Sequence, residues 1–201
     1  EVKREGVEVI IALDVSNSML AEDIAPSRLE RAKQAIAQLV DQLRDDKIGL
    51  ILFAGDAYTQ IPVTNDYLSA KMFLESAGPD AVSKQGTSIG SAIDLGMRSF
   101  SPAGDRSKAL IIITDGENHE DDAVAMAKSA AEKGVVIHTI GIGSPVGSPV
   151  PVTLNGKRDY LKDADGNTVI TKLDEEGLEK IASATGGRYV RANNTSLGLN
   201  E

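Results

Sequence analysis

Short runs rich in valine and isoleucine alternate along this chain with segments of helical periodicity. Four runs are predicted to be buried strands because they are brief, β-branched and bounded by turn residues: 7–14, 47–55, 108–115 and 135–143. Residues 58–63 follow a Gly-Asp turn and are predicted to form a short edge strand. This alternation predicts an α/β fold, with a Rossmann-like open, mostly parallel central sheet and helices on both faces.

Helices are predicted over 27–43, 66–76, 88–99, 121–133 and 174–184. The first has the strongest local signals, because its apolar residues recur every three or four positions and Ser27 with Glu30 makes a capping box. The last two open on the acidic runs 120–122 and 174–176. Because negative charge stabilises a helix N-terminus, we interpret these acids as capping charges.

One segment interrupts the alternation of strands and helices. Residues 149–173 carry Asn-Gly and Asp-Gly turn signals between short runs of strand propensity, which predicts β-hairpins inserted before the last helix. Its turn-rich composition adds little apolar periodicity, so we predict that this insertion is a peripheral surface. No internal repeat or domain boundary is visible, and residues 1–201 are predicted to form a single domain.

The composition excludes several classes of function. Thirty acidic and 21 basic residues give a formal net charge of −9, which argues against a nucleic-acid partner because phosphate binding needs a basic surface. The chain has no cysteine, so disulfides, thiolate zinc sites and cysteine nucleophiles are excluded. No apolar run reaches the roughly 18 residues that span a bilayer. Because the sequence starts without Met, we expect any targeting elements to belong to a longer protein.

Side chains that carry oxygen follow the predicted strands. The strand over 7–14 ends in Asp14-x-Ser16-x-Ser18, a second loop offers Thr87 just before a helix, and Asp115 ends the strand over 108–115. Ligands of open parallel sheets bind outside the carboxyl ends of the strands, so Asp14 and Asp115 are expected at one edge. A hard cation such as Mg²⁺ takes about six oxygens and keeps several waters. These residues are therefore candidate ligands of a divalent cation.

Three short motifs carry a resemblance to a known family. In chain order they are Asp14-x-Ser16-x-Ser18, Gly86-Thr87 and Thr114-Asp115-Gly116. In order and strand context they resemble the metal-ion-dependent adhesion site of von Willebrand factor A (VWA) domains. The resemblance covers nearly the whole chain, and it implies the VWA fold and a module for metal-dependent protein–protein recognition without catalysis.

The resemblance also implies how the metal is held. Ser16 and Ser18 would bind the cation directly, Thr87 directly or through water, and Asp14 and Asp115 mainly through water. The implied cation is Mg²⁺, with Mn²⁺ or Ca²⁺ as alternatives. Because the carboxylates would lie largely outside the coordination sphere, the cation would keep its positive field, and an acidic side chain of a protein partner could complete the coordination.

Two further segments resemble a narrower branch of the family. They are LAEDIAPSRLERAK (20–33) and YLKDADGNTVITKLDEEGLEKIA (160–182), and they are similar to the BatA/BatB branch, the membrane-anchored bacterial aerotolerance proteins. This similarity implies a domain on the periplasmic side of a bacterial inner membrane. It further implies membrane spans before residue 1 and after residue 201, and other Bat components as partners.

Two enzymatic alternatives remain open, of which the first would use the same edge of the sheet. A Mg²⁺-dependent phosphohydrolase is the main one, although no nucleophile or base is evident beside the cation. Residues 86–90 also spell G-x-S-x-G, in which Ser88 would be a hydrolase nucleophile; that motif needs a preceding strand and a histidine base. Residues 80–85 are a poor strand, His138 is interpreted as a satisfied residue of a strand, and His119 is the remaining candidate base.

Two non-enzymatic alternatives concern metals. The predicted site could bind a cation for stability alone, without a partner. Residues 163–167 resemble the start of a calcium loop, but Thr168 occupies the position at which that loop needs glycine. We therefore interpret 163–167 as a hairpin turn.

Overall fold

The computed structural model describes residues 6–102, 106–118 and 122–192, and all structural statements refer to these ranges. The strands are β1 (Glu8–Asp14), β2 (Lys47–Phe53), β3 (Ala57–Thr64), β4 (Lys108–Thr114), β5 (Val135–Gly141), β6 (Ser148–Pro149), β7 (Pro151–Leu154), β8 (Lys157–Tyr160), β9 (Ile170–Thr171) and β10 (Tyr189–Arg191). The helices are α1 (Arg28–Gln42), α2 (Tyr67–Glu75), α3 (Ile89–Ser99), α4 (Ala123–Glu132) and α5 (Glu175–Ser183). Short 3₁₀ turns cover Asn17–Leu20 and Pro79–Ala81.

Six strands form the main sheet in the order β10-β5-β4-β1-β2-β3. All neighbours are parallel except β3, which runs antiparallel to β2 at one edge. The predicted α/β class, the mostly parallel sheet and the edge strand are confirmed. The sequence analysis did not predict β10, a three-residue strand that pairs with β5.

Both faces of the sheet are covered by helices, as predicted. In β1, Ile11 and Leu13 pack on one side with α1 and α2, whereas Ile10 and Ala12 pack on the other side with α3, α4 and α5. All four side chains are fully buried. Because alternate residues of a strand face opposite sides, a strand covered on both faces must be apolar at every position, which explains the continuous Val/Ile runs.

The predicted helix starts are confirmed by their caps. The Ser27 hydroxyl accepts a hydrogen bond from Glu30 N at 3.1 Å. The side chains that cap α2, α3, α4 and α5 in the same way are Asp66, Ser88, Asp122 and Asp174. Two residues of the first acidic run, Glu120 and Asp121, lie outside the described residues. Judged by length and hydropathy, none of the helices within the described ranges could cross a bilayer.

The insertion near 149–173 forms the predicted hairpins. Strands β7 and β8 pair antiparallel around Asn155-Gly156, whose φ angles of 51° and 74° are those of a tight hairpin turn. A second antiparallel pair joins β6 to β9, and between these pairs a bridge links Lys162 to Thr168. The turn at residues 163–167 is thus part of a hairpin.

The prediction that the whole insertion is peripheral is wrong at its base. Val150, Thr171 and Leu173 are at most 5 % exposed, and Leu173 belongs to the cluster that packs α5 on the sheet. The hairpin of β7 and β8, here called the outer hairpin, is peripheral as predicted, because its Leu154 is 56 % exposed. Sequence periodicity missed the base because three buried residues distributed over 24 positions show no regular spacing.

We expect the outer hairpin to be dispensable for folding. The residues on either side of this hairpin are already hydrogen-bonded, because Leu161 N donates to Val150 O at 2.8 Å. An Asn-Gly turn in place of residues 151–160 would therefore join two residues that already lie side by side. The exposed ion pair of Arg158 with Glu22 would be lost, which has little effect because solvent screens the two charges. The free energy of unfolding in urea should therefore change by about 1 kcal/mol or less.

The base of the insertion should behave in the opposite way. Leu173→Ala is expected to lower the free energy of unfolding by about 2–5 kcal/mol, because it opens a cavity in the core. Leu154→Ala is the matched control and should stay within about 0.5 kcal/mol of the wild type. Equal losses for the two leucine variants would contradict this division of the insertion.

Candidate metal centre

The candidate site lies where β1 and β4 end side by side. These strands pair in parallel with Leu13 opposite Ile113, so Asp14 and Asp115 leave the sheet at the same edge. Both carboxylates are fully buried. The expectation that the two aspartates share one edge is confirmed.

In the loop that follows β1, the side-chain oxygen atoms of the first motif lie close together. Asp14 Oδ1 accepts a hydrogen bond from Ser16 N at 2.9 Å, and Asp14 Oδ2 accepts one from the Thr114 hydroxyl at 2.6 Å. The 3₁₀ turn that starts at Asn17 brings Ser18 back toward Ser16, and their hydroxyl oxygens lie 3.0 Å apart. A fixed carboxylate and two adjacent hydroxyls therefore occupy the end of β1.

Hydrogen bonds link the first loop to the second and the second loop to the third. Asn17 N donates to Gln85 Oε1 at 3.2 Å, and Ile89 N donates to Asn118 Oδ1 at 3.2 Å. Thr87 lies in the second of these loops and is 4 % exposed. Among the hydrogen bonds of the described residues, none joins the Thr87 side chain to the other four candidate ligands. Within the described residues, the structure thus brings the loop of Thr87 to the site without a hydrogen bond from its hydroxyl to those ligands.

Asp115 is held by residues that the sequence analysis did not single out. Its Oδ2 atom lies 2.9 Å from Arg28 Nη1 and 3.1 Å from Thr171 Oγ1, and its Oδ1 accepts from Glu117 N at 3.3 Å. Arg28 is fully buried although it stands in the first turn of an amphipathic helix. The only sequence signal for Arg28 and Thr171 was that each lies in a segment similar to the BatA/BatB branch.

The two carboxylates have unfavourable surroundings for their charge. Burial raises the pKa of Asp14 to about 7, and the nearby charge of Asp115 acts in the same direction, against the hydrogen bonds from Ser16 and Thr114. Burial also raises the pKa of Asp115, which a hydrogen bond from Ser18 and the charge of Arg28 oppose. None of the ion pairs within the described residues involves Asp14. A cation beside Asp14 would offset the negative charge of this buried carboxylate.

The donor set fits a hard divalent cation. It consists of two carboxylates and three hydroxyls, all oxygen ligands of the kind that Mg²⁺ prefers. No group of three or more His, Cys, Asp or Glu residues that could hold a metal occurs within the described ranges. None of the five candidate side chains offers the nitrogen or sulfur ligands of typical structural Zn²⁺ sites.

The hydrolase alternative lacks its structural context in the described residues. The segment before Ser88 contains a 3₁₀ turn at Pro79–Ala81 and no strand, whereas the G-x-S-x-G elbow needs a strand directly before it. The Ser88 side chain caps α3 by accepting from Ser91 N. His138 lies half-buried in β5 and accepts from Arg188 N at 3.1 Å. The other candidate base, His119, lies outside the described residues.

Comparison with known proteins identifies the family. The sequence model of the von Willebrand factor type A domain matches residues 8–200. This chain belongs to that family. Its VWA domain is similar to BatB, a conserved hypothetical protein of Bacteroides thetaiotaomicron, with 55 % identity, a TM-score of 0.93, and 97 % of this chain and 94 % of that chain covered.

Two other proteins extend the comparison. An aerotolerance-related membrane protein of Bacteroides fragilis is 51 % identical with a TM-score of 0.92, over 97 % of this chain and 96 % of that chain. A UPF0353 protein of Mycolicibacterium paratuberculosis is 29 % identical over 92 % of this chain and 55 % of its own length. The VWA domain thus spans about half the length of the curated relatives it matches. The resemblance to the BatA/BatB branch is confirmed, and a VWA domain of this branch is a protein-interaction module.

The buried charge of Asp14 should make the VWA domain less stable at higher pH in the absence of metal. The pKa of Asp14 is raised from 3.8 to about 7 on folding, so the folded state binds a proton more tightly than the unfolded state. Stability from this group is therefore lost as pH rises from about 4 to about 7. Asp14→Asn removes the charge at nearly constant shape, and its stability relative to the wild type should rise over the same interval.

Urea unfolding in EDTA between pH 4 and pH 8 measures this difference. Asp163→Asn is the control, because Asp163 is an exposed acid whose pKa is lowered by hydrogen bonds from Asn167. Its stability relative to the wild type should not rise with pH. If the Asp14→Asn and wild-type curves ran parallel from pH 4 to pH 8, the Asp14 carboxylate would not carry the burial cost described above.

Proposed function

We propose that this chain is a divalent-metal-dependent protein-binding module. The observation that carries the proposal is the gathering of oxygen atoms at the ends of β1 and β4, where two buried carboxylates face the adjacent hydroxyls of Ser16 and Ser18. Burial of two like charges is unfavourable unless something compensates them. Arg28 compensates Asp115, and a bound cation would compensate Asp14.

The proposed ligands divide into two groups. Ser16 and Ser18 would hold Mg²⁺ directly, and Thr87 would join them directly or through water from its own loop. Asp14 and Asp115 would act mainly through water, which agrees with the hydrogen bonds that already engage all four of their oxygen atoms. When bound, the cation would supply a positive field to which an acidic side chain of a partner protein binds. Mn²⁺ or Ca²⁺ are the alternative cations.

We also propose a cellular setting, which the similarity to BatB and to an aerotolerance-related membrane protein supports. In this proposal residues 1–201 form a single domain on the periplasmic side of a bacterial inner membrane. The full-length protein is anchored by spans outside residues 1–201. Its partners are other Bat components, and it has no role in nucleic-acid binding or catalysis.

Metal binding is the first testable consequence. Isothermal titration of the metal-free protein with Mg²⁺ or Mn²⁺ should show one site, and Asp14→Ala should abolish it, because the substitution removes the carboxylate that orders the Ser16–Ser18 loop. Metal at 100 times its Kd should stabilise the wild type by about 2.7 kcal/mol. Asp163→Ala, at an exposed acid of the insertion, is the control and should bind like the wild type.

The titration can contradict the proposal in two ways. Binding that survives Asp14→Ala undiminished would show that the cation lies elsewhere. A wild type that binds neither Mg²⁺ nor Mn²⁺ would remove metal dependence altogether. Phosphate release from model substrates that requires Mg²⁺ and disappears with Asp14→Ala would instead support the phosphohydrolase alternative.

Neighbouring residues of one loop separate recognition from hydrolysis. Thr87→Ala should weaken Mg²⁺-dependent capture of a partner from solubilised membranes more than it weakens metal binding, because Thr87 would contact the cation when a partner carboxylate is engaged. Ser88→Ala should leave capture unchanged and cost only about 1 kcal/mol of stability, since Ser88 caps α3.

The hydrolase alternative predicts the reverse ranking of these two variants. Ester hydrolysis that survives EDTA and disappears with Ser88→Ala, but not with Thr87→Ala, would overturn the recognition proposal. Capture should be compared in Mg²⁺ and in EDTA, because the proposal requires that chelation abolish it.

A further inference from the structure

Two segments outside the three metal loops meet at Asp115. Arg28 comes from residues 20–33 and Thr171 from residues 160–182, and both reach the Oδ2 atom of the same carboxylate. Their contact with one another is also direct, because Arg28 Nη1 donates to Thr171 Oγ1 at 3.1 Å. The segments that resemble the BatA/BatB branch therefore form one cluster around a candidate metal ligand.

The Arg28 side chain is fixed on every side. Its Nε and Nη2 atoms donate to the two carboxylate oxygens of Asp23 at 2.8 and 2.7 Å. Asp23 in turn accepts from Ser144 N at 2.7 Å. The guanidinium lies against Gly143, where a Cβ atom would come within 2.7 Å of it and where φ is +130°. A fully buried guanidinium with this many partners has one orientation.

This orientation determines what Asp115 can offer to a cation. Both Arg28 and Thr171 lie within hydrogen-bond distance of Oδ2. This oxygen is therefore occupied by hydrogen bonds and is not free to bind a metal directly. The positive charge of Arg28, 2.9 Å away, also offsets the negative charge of Asp115. Asp115 can then act on a cation only weakly, through Oδ1 or through water.

We propose that Arg28 is a positioning residue that withholds Asp115 from direct coordination and thereby weakens the hold of the site on its cation. This inference rests on the proposed metal site. A cation held with less negative charge keeps more of its positive field for an acidic partner. Arg28 thus lowers the affinity of the site for the metal and raises the affinity of the bound metal for an acidic partner.

Asp23 has the opposite effect on the site. It shares the charge of Arg28, and that ion pair holds the pKa of Asp23 below its usual range although burial would raise it. Without the negative charge of Asp23, the whole charge of Arg28 acts on Asp115 and on the cation. Changes at Arg28 and at Asp23 should therefore move metal affinity in opposite directions.

The test is a Mg²⁺ and Mn²⁺ titration of four variants at one pH, with the fold of each checked by urea unfolding. Arg28→Met should bind the cation at least about tenfold more tightly, because a nearby positive charge is gone. Asp23→Asn should bind it several-fold more weakly. Arg28→Lys keeps the charge and should return affinity toward the wild type. Thr171→Val removes, at constant charge, a hydroxyl that lies 3.1 Å from Asp115 Oδ2 and 3.0 Å from Glu117 Oε2, and it should tighten binding by a smaller factor than Arg28→Met.

A spectroscopic readout separates positioning from a merely structural role. Water-proton relaxation of bound Mn²⁺ reports the number of coordinated waters. It should show fewer waters in Arg28→Met than in the wild type, because the freed Asp115 carboxylate replaces water on the cation. In Arg28→Lys the water number should stay close to that of the wild type.

Each outcome of the titration decides one question. If the wild type binds no cation, the proposed metal function fails and this inference fails with it. If the wild type binds and Arg28→Met binds more weakly with an unchanged water number, the inference alone is wrong and Arg28 is structural. If Arg28→Met does not fold, Thr171→Val decides, and weaker binding by that variant would overturn the inference.

Discussion

Two carboxylates at neighbouring strand ends, both fully buried, are the constraint around which this edge of the molecule is organised. Parallel pairing of β1 with β4 places Asp14 and Asp115 side by side, and two like charges out of water are costly unless donors or cations compensate them. Ser16, Thr114 and Ser18 supply hydrogen bonds. Arg28 supplies the one buried positive charge that is seen beside them in the described residues.

The compensation is unequal between the two carboxylates, and that inequality explains the division of roles. Asp115 has an ion pair and a second donor on the same oxygen, whereas Asp14 has hydrogen bonds from a hydroxyl and a backbone N–H. In our proposal the additional cation therefore lies beside Asp14 and its two serines. Because the chain carries a net charge of −9, an acidic partner is repelled at long range, and screening limits that repulsion to about 8 Å. The metal-centred contact that we propose would act within this distance.

The insertion links the loops of the candidate site to the rest of the surface. Its base lies in the core through Val150 and Leu173, and Thr171 reaches Asp115 directly. The outer hairpin is exposed and meets the loop after the first motif through the ion pair of Arg158 with Glu22. An element that seemed to be a surface addition in the sequence is thus part of the setting of the candidate site.

The sequence by itself determined the strands of the main sheet other than β10, the helix starts and the motifs that supply the candidate ligands, because each depends on near neighbours. Continuous apolar runs indicate strands buried on both faces, capping side chains act within three residues, and a motif such as Asp14-x-Ser16-x-Ser18 lies in one loop. Only the tertiary structure decided which residues control Asp115. Arg28 and Thr171 are 143 positions apart, and an arginine in the first turn of an amphipathic helix gives no local sign of burial. Apart from the nearby Asp23, its partners come from loops that the sheet brings together, so no periodicity or spacing in the sequence could reveal its burial.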